Sequence, residues 1–126
     1  MDPEHAIEAL SALAQSTRLD VVRRLVRRLP NSVAAGDLAR ELGVPANTLS
    51  THLSILSQAG LVSGTRTGRS IRYRADLTGL QALTLFLLAD CCNGRPEICA
   101  GIIDFGAAAC GPGRKPSQPL TAGDPA

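Results

Sequence analysis

Two sets of side chains in this 126-residue sequence have types and spacings suited to chemistry. The first is sulfur: Cys91 and Cys92 are adjacent, Cys99 follows seven positions later, and Cys110 stands further on. Adjacent Cα atoms lie about 3.8 Å apart, whereas disulfide-bonded residues prefer roughly 4.4 to 6.8 Å. A soft metal or metalloid therefore suits the Cys91–Cys92 pair better than a bond between them. Asn93 and Gly94 are placed to end a helix and Pro96 to open another, which puts Cys99 in first turns that favour a thiolate. The second set is amide and hydroxyl: Asn47, Thr51, Ser54 and Gln58 recur at helical spacing with no charge among them. A solvated helix face usually carries Lys and Glu. A face of short hydrogen-bonding groups suits a patterned polar partner such as the major groove of DNA.

Both sets need elements to hold them. Leu49, Leu53 and Leu56 form the apolar stripe of a helix whose other side carries Asn47, Thr48, Ser50, Thr51 and Ser54. Pro45 fits its first helical position and Gly60 its stop. The spacing predicts a short helix over Val33 to Leu42 ended by Gly43, so that Asp37-Leu-Ala-Arg-Glu-Leu-Gly-Val and the following helix make a helix-turn-helix. In such a unit the N-terminal residues of the second helix read bases. His52 on that helix reads either as a structural residue or as a phosphate contact. Leu61 to Ser63 and Ile71 to Tyr73 read as two short strands around Thr67-Gly68-Arg69. The hairpin presents Arg66 and Arg69 at its tip, with Arg72 and Arg74 on one face, for phosphate or the minor groove, unless it is merely solvated. Residues 4 to 14, with Ile7, Leu10, Leu13 and Ala14 on one face, predict a first helix. A second, capped at Ser16 or Thr17, carries Leu19, Val22, Leu25, Val26 and Leu29, with Arg23, Arg24, Arg27 and Arg28 opposite. A last helix runs from Asp76 to Cys92, too apolar at Leu85 and Phe86 for one small core to cover, which marks an interface.

Composition sets the limits. The length allows one domain, and the net charge of +2 hides local clusters of arginine. With no Trp, one Tyr and two Phe there is no aromatic platform for unpaired bases, which argues against single-stranded nucleic acid. The N-terminus lacks the features of a signal peptide and no apolar run spans a bilayer, so a cytoplasmic protein without a membrane partner is expected. In that reducing compartment four cysteines point to metal or redox chemistry. Cys-Cys is not Cys-x-x-Cys, no βαβ pattern surrounds it and no general base is at hand, so an enzyme is not expected. Residues 1–110 read as one domain and the turn-rich residues 111–126 as a disordered tail.

Asn47 to Val62, followed by Arg66-Thr-Gly-Arg-Ser-Ile-Arg-Tyr-Arg74, resembles the recognition helix and wing of the ArsR/SmtB family of bacterial repressors, over roughly residues 6 to 90. The resemblance implies a mainly α winged helix-turn-helix of about five helices plus a two-stranded wing. It also implies a homodimer through the first and last long helices, bound to an imperfectly palindromic double-stranded operator. It gives His52 a DNA-facing role. The thiolate site on the helix before the recognition helix is missing, since Ala34 and Gly36 stand at the matching positions, and so are the His and Asp ligands of zinc sensors. The subgroup with a vicinal cysteine pair and a third cysteine after the last long helix is the one resembled, with Cys91, Cys92 and Cys99 in those roles. This implies release from DNA by trivalent arsenic or antimony: arsenite and antimonite through three sulfurs, a methylated arsenical through two. Cys110, left out of the site, would make a fourth ligand for zinc, cadmium or lead. A thiol-disulfide switch on the same fold is the remaining reading.

Overall fold

The structure, a computed structural model, describes residues 1–89. Three of its five helices open on a side chain that satisfies a free N–H group of the first turn. Asp2 accepts from the His5 N–H at 2.8 Å and starts α1 (Pro3–Leu13). Gln15 accepts from the Arg18 N–H at 2.9 Å and starts α2 (Ser16–Arg28). The cap thus falls just before Ser16 and Thr17, where the longer glutamine side chain reaches the same N–H. α3 (Ala35–Leu42) ends at Gly43, whose φ of 67° is the left-handed conformation glycine adopts without strain. α4 (Ala46–Gln58) opens behind Pro45, which caps the helix and is not its first residue. The ring fixes φ near the value shared by helix and extended chain, and a ψ of 147° decides for the latter. Asp76 accepts from the Gly79 N–H at 3.2 Å and starts α5 (Leu77–Leu88). The expected end of this helix at Cys92, the cysteines and the 111–126 tail lie outside the described residues.

β1 (Val33–Ala34), β2 (Val62–Thr67) and β3 (Ser70–Ala75) form an antiparallel sheet in the order β1-β3-β2. Val33 and Ala34 were expected to begin a helix. They are extended, pairing with Tyr73 and Arg72, because the outer edge of β3 otherwise leaves backbone donors and acceptors unmet. The hairpin is longer than expected, paired from Val62↔Ala75 to Thr67↔Ser70, and turns at Gly68 with φ 64°. Gly64 faces Tyr73 across it. A Cβ there would lie 2.7 Å from the ring, so the bare backbone is what lets the ring lie across β2.

Every buried residue described is apolar. Leu49, Leu53 and Leu56 of α4 meet Val21, Val22 and Leu25 of α2, Leu38 of α3, Leu61 beyond α4 and Leu83 of α5 in one cluster. The face of α1 that its own chain buries is not the stripe picked out by the larger side chains. It is Ala6, Ala9 and Ala12, while Ile7 is 66% and Leu10 41% exposed. Alanines let helix backbones approach closely, so the larger side chains turn outward. On α2, likewise, Val21 takes the inward place assigned to Leu19 and Val26, which are both exposed. On α5 only Leu83 is buried, and Leu85, Phe86 and Leu87 lie open.

Two glycines meet where α5 begins. A Cβ on Gly79 would overlap the carbonyl oxygen of Gly60, the residue that ends the α4 exit with φ 79°. Backbone thus rests on backbone where α5 begins. Gly79→Ala should lower the urea midpoint, because overpacking costs about 1–3 kcal/mol and exceeds the roughly 1 kcal/mol that alanine gains as a helix former. An unchanged midpoint would show that α5 shifts without loss.

Candidate nucleic-acid interface

The leucine stripe that anchors α4 leaves its other side bare. Asn47, Thr48, Ser50, Thr51 and Ser54 are all exposed, as the spacing predicts, and Gln58 continues the face. Their hydrogen bonds within the fold are local. Asn47 Oδ1 accepts from the Thr48 N–H at 2.9 Å, and the Thr51 hydroxyl donates to the Asn47 carbonyl at 3.3 Å. The N-terminus of α4 has no side-chain cap from Pro45, so the N–H groups of Ala46 and Asn47 are available to an outside acceptor such as phosphate.

His52 sits at the margin of this face, half-buried, with Nδ1 3.3 Å from Nη1 of Arg18. Arg18 also donates from Nε to the Ala12 carbonyl at 2.7 Å. One guanidinium therefore ties the end of α1, the start of α2 and the recognition helix together. Sequence spacing could not reveal Arg18, since nothing in Ser-Thr-Arg-Leu-Asp distinguishes it from a solvated helix residue.

The wing separates its arginines. Cross-strand register puts Arg66 with Ile71 and Tyr73 on one face and Arg72 with Arg74 on the other. Arg66, Arg69 and Arg74 are exposed, with no acidic partner among the described residues. Arg72 is different: its Nε donates to the Ser32 hydroxyl at 2.9 Å and its Nη2 to the Ser32 carbonyl at 2.7 Å. It pins the wing to the chain before β1, a role that the alternation of strand residues does not disclose. Ser32 was legible only as a turn residue.

The α2 arginines divide in the same way. Arg24 pairs with Asp20 at 3.0 Å and with Glu41 at 3.5 Å, and Arg28 reaches Glu41 at 2.7 Å, bracing α2 against α3. Arg40 pairs with Asp37 within α3. Solvent screens such exposed pairs, so they orient α3 more than they stabilise it. The hydrogen bond and charge of Arg28, with Arg24 behind, hold the Glu41 carboxyl below the usual glutamate range. Arg23 and Arg27 are exposed, with no such partner among the described residues.

A helix anchored by leucines and bare on its polar side, preceded by a bracing helix and followed by an arginine-tipped hairpin, defines a winged helix-turn-helix DNA-binding protein. Residues 13–65 match the family described as "Helix-turn-helix domain". The chain is 41% identical over 75 residues to the HTH-type transcriptional regulator Rv2034 of Mycobacterium tuberculosis, covering 60% of this chain and 67% of that one. Its fold is similar to that of an ArsR-like transcriptional regulator from Rhodococcus sp. RHA1, with TM-score 0.64 and 28% identity over 77% of this chain and 89% of that one. It is also similar to a protein described as a possible transcriptional regulator for arsenical resistance, with TM-score 0.57 and 30% identity over 64% and 80% of the two chains. The chain belongs to the ArsR/SmtB family of helix-turn-helix transcriptional regulators. It spans about half the length of other curated relatives: 58% of the M. tuberculosis regulator KmtR and 47% of the repressor SmtB.

Arg66→Ala and Arg69→Ala should each reduce the salt dependence of binding to a mixed-sequence duplex by about one unit of log K against log salt. Arg72→Ala should act chiefly by lowering the melting temperature; equal melting of all three variants would remove the distinction. Glu41→Gln should be less stable than the parent at neutral pH. The gap should close as pH falls through and below the ordinary glutamate value of about 4.3, since a depressed carboxyl loses its contribution only on protonation. Urea midpoints across that range give the comparison, and a gap that persists in acid would count against the Arg28 contact.

Proposed function

We propose that this regulator is a homodimeric repressor that holds an imperfectly palindromic operator in its free state and releases it when trivalent arsenic, or antimony, is bound by Cys91, Cys92 and Cys99. The observation that carries the DNA half is the uncharged, uncovered side of α4 between a leucine anchor and an arginine-tipped wing. The dimer is supported by the apolar residues the fold leaves open, Ile7 and Leu10 on α1 and Leu85 and Phe86 on α5. A second copy covers them by symmetry and sets two recognition helices about one DNA turn apart, roughly 34–36 Å.

The inducer reading is supported by sulfur chemistry. Among the described residues no three His, Cys, Asp or Glu side chains are grouped to hold an ion, and the four cysteines all lie beyond them. Three thiols displace the three hydroxyls of arsenite as water, and two suffice for methylarsenite, where carbon already fills one position. The likeness to a protein described as a possible regulator for arsenical resistance points the same way. In the sequence Cys91 comes shortly after Leu88, where α5 ends, and α5 begins against Gly60 at the exit of α4; this supports α5 as the element that inducer and operator both bias. By linkage, DNA then weakens arsenic binding by the factor with which arsenic weakens DNA binding.

The test is fluorescence anisotropy of the reduced protein on DNA from its own promoter, with arsenite titrated against the parent and against a Cys91→Ser, Cys92→Ser variant. Release of the parent alone is expected. If neither responds to arsenite but zinc, cadmium or lead releases the parent, the ion is divalent and Cys110 becomes its fourth ligand. Release by peroxide, reversed by a thiol reductant without metal, would instead make the cysteines a disulfide switch.

A further inference from the structure

The side chains that α4 offers are selective in what they can read. From Ala46 to Gln58 the helix carries no Arg, Lys, Asp or Glu. Guanine presents two acceptors in the major groove, O6 and N7, which arginine or lysine reads; the cytosine amino group is read by a carboxylate. None of these readers is on the helix. Adenine presents a donor beside an acceptor, N6–H and N7, and its matching reader is a carboxamide. Asn47 is the one exposed side chain of the first two turns that holds a donor and an acceptor on separate atoms.

We infer that Asn47 reads an adenine through its N6–H and N7 edge, and that the half-site under α4 is weighted to A·T pairs. The inference rests on the DNA-binding reading above and adds which base pairs the operator must contain. Asn47 Oδ1 already takes the Thr48 N–H at 2.9 Å, which fixes the carboxamide and leaves a second lone pair and both Nδ2 hydrogens for the base. The Thr51 hydroxyl hydrogen is given to the Asn47 carbonyl at 3.3 Å, so the group Thr51 has left to offer a base is chiefly its methyl, which suits the methyl of thymine. His52 accepts from Arg18 at Nδ1, so the single donor it has left, Nε2–H, suits N7, an acceptor that adenine and guanine share, and does not select guanine. The wing agrees independently: exposed Arg66 and Arg69 are the residue type drawn to the narrow, strongly negative minor groove of A·T-rich duplex.

The experiment is selection from a random-centre duplex library by the full reduced chain, in parallel with Asn47→Ala and Asn47→Asp. The parent should enrich symmetric half-sites with adenine at one fixed position. Exchanging that pair for G·C should weaken binding roughly five- to hundredfold, and replacing the adenine by 7-deazaadenine, which lacks only the N7 acceptor, should weaken it severalfold. Asn47→Ala should bind the A·T and G·C duplexes equally, and Asn47→Asp, which accepts but cannot donate, should lose the adenine preference while keeping the parent's circular dichroism. Enrichment of guanine at the position that Asn47→Ala relaxes overturns the inference, as does a preference that neither variant moves; both leave DNA binding itself standing. Failure of the parent to enrich any sequence overturns the DNA-binding reading and the inference with it.

Discussion

The constraint on which this fold depends is that one helix must be immobile on one side and uncovered on the other. Leu49, Leu53 and Leu56 meet it by seating α4 among α1, α2 and β2, with α3 braced alongside. Burying three leucine side chains contributes about 1.5–3 kcal/mol each, far more than the surface ion pairs around them. The remaining elements are placed by this requirement. α1 presents alanines because a bulkier face would hold it away from α4. Glycine at position 60 lets the chain leave the helix in a left-handed turn and enter the wing directly.

Charge is used sparingly and for two separate ends. Arg18, Arg24, Arg28 and Arg72 serve the fold itself, each bonded to a carbonyl, a hydroxyl, an imidazole or a carboxylate of another segment or turn. Arg66, Arg69 and Arg74 stay exposed on the wing. A net charge of +2 is therefore no measure of the field that a duplex would meet.

Much of this was legible beforehand, and the gaps have common physical origins. Leucine spacing located α4, and the order of helix, Ala-Gly-Leu-Val exit and Gly-Arg turn located the wing, because local periodicity and glycine turns act within a few residues. What failed was the choice between two apolar faces. Leu19 and Val26 read as part of the inward face of α2, yet both are exposed, because hydrophobic pattern records that a face avoids water, not whether its own chain or another surface covers it. Val33 looked helical because its pairing partner, Tyr73, is forty residues away. The inward turn of Arg72 and the link from Arg18 to His52 depend on such distant neighbours too. The cysteine segment lies beyond the described residues, so its reading rests on sequence and chemistry.

The local character of the hydrogen bonds on the exposed side of α4 has an evolutionary consequence. Asn47 and Thr51 bond only to backbone within their own helix, and no other element leans on them. Substitutions there leave the leucine seam and the wing intact. After a gene duplication, one copy can drift to a new binding sequence through a few surface changes without first acquiring surplus stability. Its sensing segment, carried more than thirty residues further along the chain, can diverge on a separate course.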